Sequence, residues 1–203
     1  MTKDEIIAQA YSIIDDADGA IPPAEMGLHL EDVALDFSRR SRVMRTQKAV
    51  AFFADRAILT LPEDCHEIIR VIDSRNEELC PLSKAELPRS FEDDSAAVPE
   101  YYTRDYTGPE QIMLYPRPTA AGTLTLYYIQ QHVVGQDLLV PSRYHLTLIF
   151  GLASKALARS HNPEDQAKLA RFGGAYESGV TEAFNEASKN FSSRPRRTRA
   201  RFL

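Results

Sequence analysis

The chain has 203 residues, a formal net charge of −5 and a sequence pI near 5.6, with Lys189 and five arginines crowded after its last acid, Glu186. That length can bury a sizeable core without a staple. An acidic whole excludes wholesale wrapping of nucleic acid, and the lack of any run of 18 apolar residues argues against a membrane-spanning helix. The two cysteines, Cys65 and Cys80, form no CxxC pair and no signal-like apolar run follows Met1, so free thiols in a reducing cytoplasm are expected.

In chain order, Thr2 with Glu5 has the pattern of a capping box, and Ile6, Ala10 and Ile14 mark one face of a helix predicted over 3–16. Pro22 and Pro23 break it. Met26, Leu30, Val33, Phe37 and Met44 resume helical spacing, which predicts a second helix over 24–45. From Val50 to Leu61 the pattern reads as strand, followed by strand at Ile68–Ile72, a turn at Arg75–Glu78 and a return strand at Leu79–Leu82. Ser83 with Glu86 caps a short helix ending near Pro88, and the acidic stretch from Ser90 to Pro99 reads as loop. Tyr101–Tyr106, Ile112–Tyr115 and Leu124–Ile129 are further strand candidates separated by Gly and Pro turns, and Gln131–Val140 reads as a linker. Helices are predicted again over 142–161 and 163–190. The second of these starts at Asn162-Pro163-Glu164-Asp165, with a capping side chain, a proline at the first helical position and acids against the dipole.

This order predicts an α+β protein in which helices of 1–47 and 141–190 form one helical bundle, residues 48–140 form a small inserted antiparallel β unit, and residues 191–203 form a basic arm, disordered when free. Pro195 denies the last helix a continuation, and five neighbouring guanidiniums repel one another.

Little in the chain carries catalytic chemistry. Among His29, His66, His132, His145 and His161 no zinc-hydrolase spacing occurs, so no metal site and no cofactor is expected. The pairs Asp15-Asp16, Glu63-Asp64 and Glu92-Asp93-Asp94 read as solvated surface before they read as a glycosidase pair, and GxSxG, GxxxxGK[ST] and GxGxxG are all absent. Gly173-Gly174 within a predicted helix reads as a close helix contact or a kink. Tyr101, Tyr102, Tyr106 and Tyr115 cluster on the β unit with few basic residues between them, which favours a sheet face or a subunit or tail contact over a stacking platform for single strands.

Several fragments taken together carry a resemblance. Ile58-Leu59-Thr60-Leu61-Pro62-Glu63-Asp64-Cys65 leads into Ile68-Ile69-Arg70-Val71, with Leu79 and Ser83-Lys84-Ala85-Glu86-Leu87 after it. Pro99-Glu100-Tyr101-Tyr102, Ile112-Met113-Leu114-Tyr115-Pro116-Arg117-Pro118 and Leu124-Thr125-Leu126-Tyr127-Tyr128 follow. In this order, over about residues 55–160, the chain resembles phage head-to-tail adaptor proteins. The resemblance implies a non-enzymatic virion protein at the neck, a homo-oligomeric ring, twelve-fold in the family, between the portal protein and the tail or nozzle proteins, with DNA passing through and no membrane partner. It also implies that the arm with Arg194, Arg196, Arg197, Arg199, Arg201, Phe202 and Leu203 binds the portal. A muralytic hydrolase and a DNA-binding protein using the arginine arm remain as alternatives.

Overall fold

The computed structural model describes residues 1–15, 21–86, 97–104, 108 and 110–192. The chain divides into two compact units, one from residues 1–44 together with those from 132 onward, the other from Arg45–Gln131.

The first unit holds four α-helices: α1 (Lys3–Ile14), α2 (Pro23–Ser41), α3 (His145–Leu157) and α4 (Pro163–Ser192). The capping box at the start of α1 is formed, since Thr2 Oγ1 accepts from the Glu5 amide at 3.2 Å and Glu5 returns the bond to the Thr2 amide at 2.9 Å. Asn162 Oδ1 likewise accepts from the Glu164 amide at the start of α4. The ends of α1 and α2 fall on Asp15 and Arg42, both in the left-handed region, so α2 stops short of Met44. Met44 nevertheless enters the helical core, 6% exposed, beside Ile6, Met26, Leu30, Phe37, Leu148, Leu152 and Val180. Burying each such side chain contributes roughly 1.5–3 kcal/mol before ordering costs. Through Gly173-Gly174 α4 runs on as one helix; a Cβ on Gly173 would lie 3.3 Å from Ser154 Oγ, the close contact that the sequence suggests there.

The second unit corrects the expected architecture. In place of a small antiparallel insert there is a seven-stranded, nearly closed barrel-like sheet: β1 (Arg45–Phe52), β2 (Ile58–Thr60), β3 (Cys65–Ile72), β4 (Glu78–Pro81), β5 (Tyr101–Arg104), β6 (Gln111–Tyr115) and β7 (Gly122–Gln130), ordered β1-β7-β3-β4-β5-β6-β2. The molecule is therefore α+β without being a helical bundle that carries a minor β unit. The local patterns show most of the strands but not their pairing. β1 pairs along its whole length with β7, from Arg45 opposite Ile129 to Phe52 opposite Gly122, and β4 pairs with β5 in parallel. Register shifts at Cys65/Glu67 and Ile68/Arg70 bend β3, as bulges do where a sheet curls, and its burial loses the simple alternation of a flat strand. Residues Val50–Leu61 likewise divide into the end of β1, a loop at 53–57 and β2. Leu59, Leu61, Val71, Leu79, Ile112, Leu114, Leu124, Leu126 and Tyr128 fill the interior.

Candidate functional site

The tyrosines singled out from the sequence come to different ends. Tyr101 and Tyr115 are register partners on β5 and β6, half-buried, with ring centroids 6.3 Å apart and tilted by 41°. Tyr102, one residue on, points to the other face and lies in the sheet core at 7% exposure. Burial, with Glu78 nearby, pushes its phenol up to about 12. Tyr106 lies outside the described residues, as do Arg194, Arg196, Arg197, Arg199, Arg201, Phe202 and Leu203. The last helix is described as far as Ser192, and among its residues of described burial the last buried one is Ala187.

On the outer face of α4 a shallow groove of about 730 Å³ is lined by Glu177, Ser178, Thr181, Glu182, Asn185, Glu186 and Lys189. Two of its three glutamates are already engaged. Glu177 forms a bidentate pair with Arg40, which holds its carboxyl below the ordinary glutamate value. Glu186 accepts from Tyr144 at 2.7 Å and from Arg143 at 2.8 Å. The groove is thus acidic in composition and partly neutralised in contact.

The carboxylate pairs resolve into structural parts where they are described. Asp64 accepts from Tyr128 Oη at 3.0 and 3.1 Å and from Gln130 Nε2 at 2.8 Å, so it ties β7 to the turn before β3. Burial first, and then Asp64, push the Tyr128 phenol far up. Burial likewise pushes the Cys65 thiol up to about 11, the reverse of an activated nucleophile. Asp15 caps α1, while Asp16 and Glu92–Asp94 lie outside the described residues. Among the described residues no group of three His, Cys, Asp or Glu side chains is placed to hold a metal ion. His145 is buried with Nε2 2.9 Å from the Val140 carbonyl, and His161 is exposed.

Glu31 on α2, a carboxylate with three partners, has no signature in the sequence. Its carboxylate meets Lys3 Nζ at 2.5 Å, His132 Nε2 at 2.6 Å and the Gly135 amide at 3.2 Å, while the His132 amide donates to Ser38 Oγ at 2.9 Å. Burial pushes the Glu31 carboxyl up, but the Lys3, His132 and Gly135 donors outweigh it and hold the group below its ordinary value. Its partners lie 28 to 104 residues away, beyond the reach of any local pattern.

What the geometry presents, then, is two compact units, each with its own buried core. The SU10 adaptor protein family matches the chain over residues 1–200. The chain belongs to the SU10 adaptor protein family. That family is one of phage head-to-tail adaptors, which makes this chain a structural adaptor of the phage virion. No curated protein matches it. Among the described residues, no helix of this SU10-type adaptor is long and apolar enough to cross a membrane.

Proposed function

We propose that this adaptor forms a homo-oligomeric ring, dodecameric as in the related adaptors, that joins the portal protein to tail or nozzle proteins at the virion neck and continues the DNA channel. The observation that carries the reading is the family match over nearly the whole chain, residues 1–200. Composition supports it, because a net charge of −5 suits a conduit past which DNA slides without the counterion release that would hold it. The basic segment after Glu186 supplies the portal contact. Arg194, Arg196, Arg197, Arg199 and Arg201 offer bidentate pairing to carboxylates, and Phe202 and Leu203 offer a small apolar anchor. Tyr101 and Tyr115, half-buried and side by side, would add contact area toward a neighbouring subunit or the tail.

Electron microscopy of the purified protein mixed with portal tests this directly: rings on portal are expected with the full chain, and their loss after deletion of residues 191–203. Attachment that survives the deletion unchanged overturns the docking role of the arm. Duplex DNA affinity that is strong at low salt and disappears with the same deletion assigns the arm to nucleic acid instead.

A further inference from the structure

Helix α4 turns one long face to solvent. Ala167, Ala170, Gly174, Ser178, Thr181 and Asn185 recur along it at helical spacing, and all six are exposed. A Cβ on Gly174 would meet nothing within 4 Å, and the groove along the second half of the helix lies on this same face. The residues on either side of the face carry the information. On one flank stand Arg171 in the first half and Glu182 in the second, about three turns apart and both exposed. Neither takes part in a hydrogen bond or ion pair among the described residues. Lys168 and Glu186, farther out on that flank, repeat the order of base before acid. On the other flank Phe184, in the second half, is 38% exposed, and the small Ala170 occupies the first half.

We propose that the outer face of α4 docks a second copy of this chain, the two helices packing antiparallel with Arg171 of each copy against Glu182 of the other. Symmetry and charge together decide the occupant. A two-fold axis across two antiparallel helices sets each flank against the same flank of the other copy, reversed in direction. About an axis between Tyr176 and Glu177, Arg171 falls opposite Glu182 at both ends of the contact, and Phe184 falls opposite Ala170, large against small. In a parallel pair each flank would meet the opposite one, and Arg171 and Glu182 would both stay unpaired. Glu177, beside the axis, would face its own counterpart, but its bidentate pair with Arg40 already balances its charge. A pair of this kind is isologous and closes on itself, whereas a cyclic ring is built from heterologous contacts. The pair is therefore a state of the free chain, and neither it nor the ring rests on the other.

Sedimentation velocity of the full-length chain, without portal, is expected to show a dimer that loosens as salt rises. Arg171→Glu alone and Glu182→Arg alone each set like charges against one another at both ends, and each should weaken association about tenfold or more. Mixing the two variants sets opposite charges together at both ends and should restore a dimer containing one chain of each kind. Because the chains in the mixture are the same ones that fail alone, restoration separates a lost contact from a lost fold. Removal of residues 193–203 should leave each of these results unchanged. A chain that stays monomeric at about 0.1 mM overturns the proposal, as do single variants that associate like the unaltered chain or a mixture that stays apart. Association that disappears with residues 193–203 overturns it as well, and assigns the contact to the arm.

Discussion

In the helical unit one carboxylate, Glu31, gathers Lys3, His132 and Gly135 from two distant parts of the chain, and Asp36 and Glu186 accept from Tyr176 and Tyr144. In the sheet unit the corresponding long-range work is done mainly by backbone ladders, with Asp64 linked to Tyr128 and Gln130 and Glu78 paired with Arg70 between β4 and β3. The difference follows from the elements. A helix satisfies its backbone internally and must use side chains to fix its neighbours, whereas a strand fixes its neighbours with the backbone itself. The helical unit should therefore be the more sensitive to the loss of one polar side chain.

The largest expected effect tests this. Glu31→Ala leaves His132, whose side chain is 1% exposed, facing an empty site, and should cost about 3–5 kcal/mol in urea unfolding followed by helical circular dichroism. Asp64→Ala should cost less, about 1–3 kcal/mol, because the ladders of β3 and β7 remain. Equal costs would break the comparison. Acid sharpens it. The folded state holds the Glu31 carboxyl below its ordinary value of 4.5, so its contribution is present above that pH and disappears as pH falls through the folded-state value. Glu31→Gln should flatten the acid limb of the stability profile, and a profile parallel to that of the unaltered protein would remove Glu31 from the account.

Packing gives the next effect. A Cβ on Gly151 of α3 would lie 2.7 Å from both Tyr176 and Val33, so three helices meet at that glycine and Gly151→Ala should cost about 1–3 kcal/mol. Gly27 of α2 has nothing within 4 Å of such a Cβ, and Gly27→Ala should stabilise by about 0.4–1 kcal/mol through the unfolded chain. The two melting temperatures should move in opposite directions.

The same division explains what could be read from the sequence. The start of α4 at Pro163, the capping box of α1 and the cores of β3, β6 and β7 are written in local patterns, and they stand within a few residues of where those patterns put them. β1 was harder to see, because Gln47, Lys48 and Ala49 on an exposed edge give no apolar alternation. The extent of the sheet was missed for a different reason. Its strand order is set by partners as distant as Arg45 and Ile129, and no single segment records that the sheet curls. Of the residues proposed for contact, Tyr101 and Tyr115 lie side by side while Tyr102 turns inward, a separation that alternation along β5 foretells once the strand is accepted. Glu31 could not have been found, since an acid on an amphipathic helix is ordinarily solvated.

The smallest expected effect lies in the hairpin between β3 and β4. Asn76 sits there at φ 64°, its amide donating to the Asp73 carbonyl at 3.0 Å, while the Asp73 carboxylate accepts from the Arg75 and Glu77 amides at 2.9 and 2.8 Å. The turn is thus held mainly by Asp73, with Asn76 supplying a backbone conformation that asparagine tolerates and branched residues resist. Only two rungs, Val71 with Leu79 and Ile72 with Glu78, join the strands beyond it. Asn76→Gly should change stability by no more than about 0.5 kcal/mol, because glycine enters the left-handed region without steric cost. Asn76→Val should cost about 1–2 kcal/mol, the strain of a branched residue at that φ. Thermal unfolding of both variants beside Asp64→Ala checks the ranking. If Asn76→Val proves costlier than Asp64→Ala, turn geometry outweighs the cross-strand carboxylate, and the sheet unit depends on local conformation more than on its ladders.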